Sequence, residues 1–441
     1  MGWELSTLGD CLDELYRYPT YYGIKYVSKG VPEIRGELIE EDGTLEKKGE
    51  AYRYIDCKTA EIFPKVRLEA QDFVLSVRGT VGKVGMVPEQ LSGAVITANL
   101  IRLKFNKSLI WPKWARHFLL SAFFQNQLEA ITSATTIKTI QVPKLRSIAL
   151  LRPPIHEQLQ IAKILDTVDE AIQRTEQLIA KLKAIKQGLL HDLLTRGLDE
   201  NGQLRDPIAH PEQFKDSTLG RIPKEWEVYR INEIGKVVSG TTPSRMVPQY
   251  WGGTIPWITP TDMSKLTNDY ISGGQDSITQ SGLESCSANL LPIGSIVVTT
   301  RATLGLTAVT ERELATNQGF KNIIPNDGWN SLFLCYKIHE LSNEMIKRAS
   351  GTTFLEISGT QFILLEITAP VPGSKEQSMI ANAISVHNQR IEKEEQYLAK
   401  LKLLKKGLMH DLLTGKVGVR IDDGEGKEYT LKETTEKIEE E

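Results

Sequence analysis

Several features that would mark an enzyme or a membrane protein are missing from this sequence of 441 residues. Its four cysteines, Cys11, Cys57, Cys286 and Cys335, are scattered, with no CxxC pair and no cysteine–histidine spacing of a zinc site. We therefore expect reduced thiols and no structural metal. The N-terminus lacks an apolar leader, and no window approaches 18 uninterrupted apolar residues, so we expect a soluble protein of the cytoplasm.

Catalytic motifs are absent as well. There is no GxxxxGK[ST] phosphate loop, no GxGxxG opening a helix, no HExxH, no GxSxG and no EF-hand loop. The Asn-Pro-Pro-aromatic motif of amino-methyltransferases is also missing, because Arg152-Pro153-Pro154-Ile155 lacks both of its ends. His191 and His410 each precede an aspartate near the end of a predicted helix, where a cation suits the helix dipole. We interpret both as structural or interface residues and predict no catalytic residue and no cofactor bound by this chain.

No charge of one sign dominates the chain, whose net charge is −3 and whose pI is near 6.3. This average conceals an acidic end. Arg420–Glu441 holds four basic and nine acidic residues, which leaves a net charge of +2 for the rest. Because that segment is poor in apolar residues, we predict a disordered tail over 418–441. Any basic surface for nucleic acid must therefore be local.

What the sequence does contain is one unit written twice. The segment KLKAIKQGLLHDLLT at Lys181–Thr195 matches KLKLLKKGLMHDLLT at Lys400–Thr414, 219 residues later, and the match extends upstream to Pro153 and Pro372. Weaker similarity continues through the preceding parts at an offset of 223. The paired positions there are Trp3-Glu4 with Trp226-Glu227, and Arg78-x-Thr80-x-Gly82 with Arg301-x-Thr303-x-Gly305. The pattern indicates a tandem repeat of a globular module and a long helix.

The repeated C-terminal segments have the spacing of paired helices. Seam positions recur at alternating intervals of three and four, with one extra interval of three that predicts a local phase shift. They are Leu165, Val168, Ile172, Thr175, Ile179, Leu182, Ile185, Leu189 and Leu193 in the first copy, and Ile384, His387, Ile391, Glu394, Leu398, Leu401, Leu404, Leu408 and Leu412 in the second. Pro153-Pro154 and Pro372-Gly373 place the helix starts near Ile155 and Ser374. Antiparallel pairing of the two helices about a pseudo-two-fold axis is the simplest way to bury such narrow stripes.

The modules themselves are short strand-like runs separated by turns and interrupted by helical patches. The predicted strands are Ile62–Leu68, Phe73–Val77, Val84–Val87, Ile101–Phe105, Ile255–Ile258, Ser295–Thr300 and Leu306–Val309, and the helical patches are Trp114–Ile131 and Leu332–Ala349. We predict an α+β fold with mixed, mainly antiparallel curved sheets in modules 1–152 and 221–371. Long helices cover 153–197 and 372–417, and the polar stretch 198–220 is predicted to be a linker.

Taken in order, the duplicated motifs resemble the specificity subunits of type I restriction-modification systems, from Trp3 to about Val417. The shared motifs are the opening Trp-Glu, IPWITPTDM at Ile255–Met263, VRGTVGKVG at Val77–Gly85 with TRATLG at Thr300–Gly305, ATT or GTT before a strand, PPIHEQ, and the GLxHDLLT endings. The first module departs from this pattern. Nothing in it copies WITPTDM, and Lys25–Lys29 is the closest segment.

The resemblance implies a non-catalytic subunit whose two modules are target recognition domains, each reading one half of an asymmetric bipartite site in double-stranded DNA. The helix pair would set the half-site spacing and dock two methyltransferase subunits, which would bring S-adenosylmethionine. Restriction (motor-nuclease) subunits using ATP and Mg would be further partners. Two alternatives stay open: a coiled-coil protein scaffold with only non-specific DNA affinity, and a nuclease or methyltransferase in its own right.

The candidate DNA contacts are Lys25, Lys29, Arg78, Lys83, Thr259, Thr261, Asp262 and Arg301. The two arginines precede glycine turns and suit a phosphate or a guanine edge, or else they bond turn carbonyls. The residues of WITPTDM contact DNA or supply a helix cap through Thr261 or Asp262. The lysines flank DNA or are solvated surface. The candidates for docking partner subunits are His191, Asp192, His410 and Asp411.

Overall fold

A computed structural model describes residues 2–17, 24–45, 51–62, 64–133, 138–351 and 355–419. The chain divides into two compact units, one made of Met1–Thr175 with Tyr397–Glu441 and the other of Glu176–Gln396. The predicted acidic tail lies almost entirely outside the described residues, as do most of the Ala134-Thr135-Thr136 and Gly351-Thr352-Thr353 motifs. Among the residues described, no helix combines the length and the apolar character needed to cross a membrane.

The first unit is built on two four-stranded sheets. Its strands are β1 (Glu4–Thr7), β2 (Leu12–Arg17), β3 (Tyr26–Val27), β4 (Val31–Ile34), β5 (Arg53–Ile55), β6 (Phe73–Ser76), β7 (Val84–Met86), β8 (Val95–Ile96), β9 (Leu100–Phe105) and β10 (Ala149–Arg152). Its helices are α1 (Cys57–Ile62), α2 (Pro112–Leu120), α3 (Ala122–Ala130), α4 (Val142–Arg146) and the first half of α5 (Ile155–Thr195). The sheet orders are β2-β9-β6-β7 and β3-β5-β4-β8, in which the β4–β8 pair is parallel and the other pairs are antiparallel.

The second unit repeats this plan, with a fifth strand in its larger sheet. Its strands are β11 (Phe214–Ser217), β12 (Gly220–Pro223), β13 (Trp226–Arg230), β14 (Gly235–Ser239), β15 (Trp251–Ile258), β16 (Tyr270–Ile271), β17 (Asp276–Ile278), β18 (Ile296–Val298), β19 (Thr307–Thr310), β20 (Ala315–Thr316), β21 (Lys321–Pro325) and β22 (Glu366–Pro370). Its helices are α6 (Ile231–Ile234), α7 (Pro260–Ser264), α8 (Gln280–Ser285), α9 (Ser331–Glu340), α10 (Ser342–Arg348), α11 (Gly359–Ile363) and the first part of α12 (Lys375–Leu413). The larger sheets have the orders β14-β21-β18-β19-β16 and β17-β15-β20.

The α+β prediction, with mainly antiparallel sheets, is confirmed, and one predicted strand is wrong. Of the predicted strands in the first module, Phe73–Val77, Val84–Val87 and Ile101–Phe105 coincide with β6, β7 and β9 to within one residue at each end. The run Ile62–Leu68 is not a strand, because α1 ends at Ile62 and a short 3-10 helix covers Pro64–Val66. Pro64 has no backbone N–H to give to a sheet.

Each module is closed by its first and last strands at the point where a long helix begins. β1 pairs with β10, and β13 pairs with β22, in both cases antiparallel. The first residue of α5 is Ile155 and that of α12 is Lys375, within one residue of the predicted starts. After each helix a glycine adopts the left-handed conformation, Gly197 at φ +63° and Gly415 at φ +72°, which ends the helix.

The two helical segments within each unit run antiparallel. In the first unit Ile161 and Leu165 share a core with Leu412 and Leu413, while Asp169 lies 2.6 Å from Lys405. In the second unit Leu193 shares a core with Ile380 and Ile384, and the His387 ring nitrogen Nε2 lies 2.9 Å from the Leu182 carbonyl oxygen. Both modules therefore pack on the start of one long helix and the end of the other.

The predicted phase shift in the helix seam is wrong. Ile185 is 47% exposed and Leu404 is 51% exposed, so neither belongs to the buried stripe. Replacing them by Lys186 and Lys405 gives unbroken intervals of four and three from Thr175 to Leu193 and from Glu394 to Leu412. The Lys405 side chain is 20% exposed and its ammonium pairs with Asp169. A lysine can occupy such a position because its stem lies on apolar surface while its charge reaches a partner.

The residues around the helix start are bonded in the same way in both units. Gln158 Nε2 donates to the carbonyls of Leu109 and Pro153, and its Oε1 accepts from the Trp111 amide. In the second unit Gln377 Nε2 donates to the carbonyls of Gly328 and Val371, and its Oε1 accepts from the Asn330 amide. This repeated junction fixes the module on its helix.

The stretch predicted to be a linker, 198–220, is folded. It contains β11 and the start of the hairpin with β12. Arg205, which is 7% exposed, forms an ion pair of 2.6 Å with Glu376, which is 9% exposed on its side chain. The Leu198 amide donates to the same carboxylate at 2.8 Å. The polar residues and glycines from which a linker was predicted instead form turns and a buried ion pair.

Candidate nucleic-acid interface

The sheet topology identifies the counterpart of WITPTDM in the first module. Among the described residues of the first unit, the one parallel pair joins Ile34 of β4 to Ile96, and a parallel pair of the second unit joins Ile258 of β15 to Thr316. The step after β15, where Thr259 begins the polar loop, is therefore matched by Arg35 after β4. The sequence-based pairing with Lys25–Lys29 is wrong, since those residues lie in β3 and beside it, and β3 is separated from β4 in the sheet by β5. Sequence similarity has been lost here while the strand pairing has been kept.

The polar residues of WITPTDM form a helix cap. The Thr259 hydroxyl and amide both donate to Asp262 Oδ2, at 2.6 and 2.8 Å, and the Asp262 amide donates back to the hydroxyl at 3.4 Å. Asp262 Oδ1 also accepts from the Gln275 amide at 3.0 Å. The capping residue is Thr259, with Asp262 completing the box, whereas Thr261 is exposed at the first turn of α7. Of the three candidates, Thr261 is thus the one presented to solvent.

Arg301 lies beside this cap. A side-chain carbon built on Gly319 would meet Pro260 at 3.3 Å and the Arg301 side chain at 3.7 Å, so the turn after β18, the start of α7 and segment 316–319 meet at Gly319. Arg301 lies 3.7 Å from Glu356 and pairs with it through the backbone. The side chain is 42% exposed. The structure therefore brings Arg301 and Thr261 to one surface of the second unit.

A loop that sequence reasoning did not select joins the same surface. Residues 240–250 connect β14 to β15, and the Thr242 hydroxyl is hydrogen-bonded to Gln318, next to Gly319. Arg245 in this loop is 56% exposed on its side chain and packs on Trp251. Its sequence, GTTPSRMVPQY, has no periodic pattern. Two features of the sequence mark this loop as a candidate binding loop: an arginine between Pro243 and Pro248, and the Tyr-Trp-Gly-Gly run at 250–253. We call loop 240–250, Thr261, Arg301 and Gln318 the loop surface of the second module.

The candidates in the first module are spread over two places. Arg78 is exposed at the turn after β6, and its backbone bridges to Thr139 as that of Arg301 does to Glu356. Lys83 belongs to the framework, because its ammonium donates to the Ile39 carbonyl at 3.1 Å. Lys25 and Lys29 are exposed. In the strand paired with β3, Arg53 lies 5.8 Å from the Tyr26 ring centre.

The docking candidates on the long helices are accessible. His191 and His410 are exposed, and their backbone carbonyls each accept a hydrogen bond of 2.6 Å from a threonine hydroxyl four residues later. Asp192 forms an ion pair with Arg196 at 3.2 Å. In the described part of the chain neither ring is hydrogen-bonded to a carboxylate or a nucleophile, although His191 interacts electrostatically with Glu340.

One group of side chains in the described residues has the spacing of a metal site, namely His117, Asp166 and Asp169. Its carboxylates are already matched by cations. Arg116 lies 3.0 Å from Asp166 and 2.8 Å from Asp169, and the remaining ion pairs of the group are Lys113 with Asp166 and Lys405 with Asp169. Three positive side chains leave no negative charge to attract a metal ion. The group instead ties α2 to both long helices within the first unit.

The second unit makes the equivalent contact with other residues. Tyr336, 219 residues after His117, donates from its hydroxyl to Asp269 at 2.5 Å. Asn388, 219 residues after Asp169, donates to the same carboxylate at 2.7 Å. Burial and the Asp269 carboxylate raise the pKa of Tyr336 far above its usual range. The position of the contact is duplicated, but its chemistry is not.

The ion pairs of the first unit predict an acid-sensitive contribution to stability. Burial would raise the pKa of Asp166, but its bonds with His117 and Lys113 prevail and lower it to about 2. A carboxyl with a depressed pKa stabilises the folded state above about pH 4, its ordinary pKa, and this contribution is lost as pH falls towards 2. We expect Asp166→Asn to cost about 2 kcal/mol at pH 7, and the difference from wild type to shrink below about pH 4.

Urea denaturation at a series of pH values measures this difference. Asp13→Asn, at an exposed position of β2, is the matched control and should alter stability little at any of them. A wild-type to D166N difference that stays constant between pH 7 and pH 3 would contradict the assignment.

The fold and the site together define a class of protein with two α+β modules on long helices. The junctions of the modules with the helices are repeated, whereas their loops differ. The described part of the chain contains no catalytic arrangement. The sequence model of the family described as "Type I restriction modification DNA specificity domain" matches residues 34–184 and 223–403. These two segments make up most of the chain. The protein therefore belongs to this family, and it contains two copies of the domain.

Individual relatives agree with the family assignment. The MjaIX specificity subunit of Methanocaldococcus jannaschii is 41% identical over 196 residues, an alignment that covers 43% of this chain and 45% of that protein. The putative MjaX specificity subunit of the same organism is 25% identical over 429 residues, or 95% of this chain and 94% of that protein. The S subunit from M. genitalium has a similar fold, with a TM-score of 0.53, 17% identity, and coverage of 94% of this chain and 96% of that one.

Proposed function

We propose that this protein is the DNA-recognition subunit of a type I restriction-modification complex and that its two modules read the two halves of an asymmetric, bipartite site. The observation that carries the proposal is the contrast between junctions and loops. Gln158 and Gln377 make the same three bonds in both units. The loops after β4 and β15, by contrast, differ in sequence, since one begins Arg35-Gly36-Glu37 and the other Thr259-Pro260-Thr261. Two modules that share a framework but differ in their loops suit a DNA site whose two halves differ in sequence.

The long helices are proposed to set the distance between the two half-sites, as dimer geometry does in other DNA-binding proteins. They are also proposed to dock two methyltransferase subunits, for which His191, Asp192, His410 and Asp411 are candidate contacts. S-adenosylmethionine would then be bound by those subunits. ATP and Mg would be used by restriction subunits of the same complex, and we propose that the complex works in the cytoplasm.

Lys and Arg side chains are expected to supply affinity through phosphates, and the loop surfaces are expected to supply sequence preference at base edges. In the second module Arg301 and Thr261 are proposed contacts. In the first module Arg78, Lys25 and Lys29 are the accessible candidates. Arg35 belongs to the framework, because its guanidinium is paired with Glu37 and donates to the Ala51 carbonyl. Thr259, Asp262 and Lys83 act through the framework, because their polar atoms are engaged in local bonds.

The test is methylome sequencing of cells that express this chain with its modification subunit, compared with cells that express either protein alone. We expect methylation of one asymmetric motif of two specific parts with a fixed gap, and only when both proteins are present. Exchanging residues 1–150 for the first module of another family member should change one part of the motif and leave the other part and the gap unchanged.

Two results would contradict the proposal. Methylation by this chain alone would indicate a methyltransferase in its own right. Methylation by the pair without sequence preference would indicate a protein scaffold with non-specific DNA affinity.

A further inference from the structure

Arg245, in loop 240–250 of the second unit, has a guanidinium group that is held by contacts on two sides. The guanidinium carbon of Arg245 lies 3.6 Å from the ring centre of Trp251 and 5.3 Å from that of Trp257. One guanidinium nitrogen lies 2.5 Å from Asp276 Oδ2. Trp251 therefore covers one face of the guanidinium and Asp276 binds one edge. The side chain is nevertheless 56% exposed, so the group is open to a ligand on its other sides.

The loop that carries Arg245 is anchored along its length. Trp251 Nε1 donates to the Ser244 carbonyl at 3.1 Å, and Trp257 Nε1 donates to the Thr241 carbonyl at 3.0 Å. The Thr241 amide is bound in turn by the Thr316 carbonyl at 2.9 Å. Pro243 and Pro248 restrict the backbone on both sides of the arginine. The loop tip thus needs little ordering when it binds, which favours geometric selectivity.

Gly240, where the loop begins, cannot be replaced without moving the loop. A side-chain carbon at this position would lie 1.9 Å from the Asn317 carbonyl oxygen and 2.6 Å from that of Thr316. The loop is therefore pressed against segment 316–319. The Thr242–Gln318 bond continues this contact towards the tip. Arg245 consequently has a fixed position relative to the rest of the loop surface of the second module.

We propose that Arg245 reads a guanine base through the major groove in the half-site bound by the second module, an inference that rests on the proposed function. An arginine offers two parallel N–H donors that match O6 and N7 of guanine, and no other base presents that pair of acceptors. A stacking ring and a carboxylate hold the guanidinium plane, as a bidentate contact requires. A phosphate can also be bound by a mobile charge from many directions, whereas a guanine edge in the groove has to be met in one plane.

The exposure of the loop tip separates this role from a packing role. Met246, the next residue, is 90% exposed, and the Arg245 side chain is more than half exposed. An arginine that served only to pack on Trp251 would gain from being covered. Gln318 and Arg301, on the same surface, supply further polar groups for neighbouring bases or phosphates.

The experiment uses the full chain in complex with its modification subunit, on duplexes of the motif established for wild type. We expect Arg245→Ala to abolish the preference for guanine at one position of the second module's half-site, a loss of roughly 5- to 150-fold in discrimination. Preferences at the other positions, and throughout the first half-site, should be unchanged. Arg245→Lys should weaken the same preference, because an ammonium group has no planar pair of donors and stacks poorly on Trp251, while keeping most of the binding to unrelated DNA.

Modified bases locate the contact on the guanine. Replacing it by 7-deazaguanine, which lacks the N7 acceptor, should weaken binding of the wild-type complex and leave the R245A complex unaffected. Inosine, which keeps O6 and N7, should be tolerated by both. Arg230→Ala is the matched control, because Arg230 is 54% exposed and also pairs with a carboxylate but belongs to the β13–β22 pair. It should leave every preference unchanged.

Three outcomes would overturn the inference. R245A could weaken binding to all sequences equally with a reduced salt dependence, which would identify a phosphate contact. R245A and R245K could both leave the motif unchanged. The second half-site could contain no guanine. Each of these results leaves a bipartite motif in place for wild type, whereas a wild-type complex without such a motif would refute the proposed function itself. If R245A fails to fold, as judged by thermal unfolding, R245K decides the question.

Discussion

Removing one heptad from each long helix, residues 172–178 and 394–400, is expected to shorten the gap in the recognised motif by about three base pairs. Seven residues correspond to roughly 10 Å of helix, and each base pair of DNA to about 3.4 Å. The deletion keeps the seam in phase and leaves Asp169 and Lys405 in place. The bases read on either side of the gap should not change, because the loop surfaces are untouched. Methylome sequencing measures both quantities at once.

Deleting the heptad from one helix alone is the control. The longer helix would then have no matching partner over seven residues, so we expect the complex to lose site-specific methylation. A doubly shortened protein that keeps the original gap, or one that reads different bases across it, would show that the helices do not set the spacing.

The second large effect concerns the buried ion pair of the second unit. Glu376→Ala is expected to destabilise the protein by about 3–5 kcal/mol, because it removes the buried partner of Arg205 and leaves only Glu225, an exposed carboxylate 3.4 Å away. The pair is 2.6 Å long, and both side chains are less than a tenth exposed. Glu376 also accepts from the Leu198 amide, so the truncation removes the partner of a buried backbone donor as well. Urea denaturation followed by circular dichroism measures the change.

A double variant distinguishes a lost pair from lost packing. Replacing both partners by methionine should cost much less than Glu376→Ala, because it leaves no charge unpaired. Lys215→Ala, which removes the exposed pair with Glu227, should cost less than about 1 kcal/mol. If all three variants lose the same stability, the buried pair is not what holds the folded segment 198–220 on α12.

The features that were predicted correctly from the sequence are those that appear as a regular spacing of residues. The 219-residue offset identified α5 and α12, and the proline pairs placed their starts to within one residue. Hydrophobic periodicity found β6, β7 and β9 because their residues are buried. Both kinds of signal depend on neighbours along the chain, which a single sequence records directly.

The features that it missed depend on contacts between distant residues. Ile185 and Leu404 were preferred over Lys186 and Lys405 because they are apolar, but the seam follows the heptad and a lysine stem fits it. Arg205 lies in a polar stretch, and only Glu376, 171 residues away, makes it a core residue. Arg245 gains its orientation from Trp251 and Asp276 after the loop has folded. The match between Arg35 and Thr259 follows from strand pairing alone.

The two modules contact the long helices through different side chains. The two positions that the modules occupy on the helices, here called the first and second slots, are therefore not equivalent. A first module placed in the second slot would bring Arg116 and His117 to Ser385 and Asn388, where the carboxylates of Asp166 and Asp169 are absent. A second module placed in the first slot would bring Asp269 towards Asp169, and two carboxylates would meet. Genetic exchange between relatives can therefore replace a module within its own slot but is disfavoured from reversing the pair. The different helix contacts therefore fix which module occupies which position, and with it the order in which the two half-sites follow each other in the recognised DNA site.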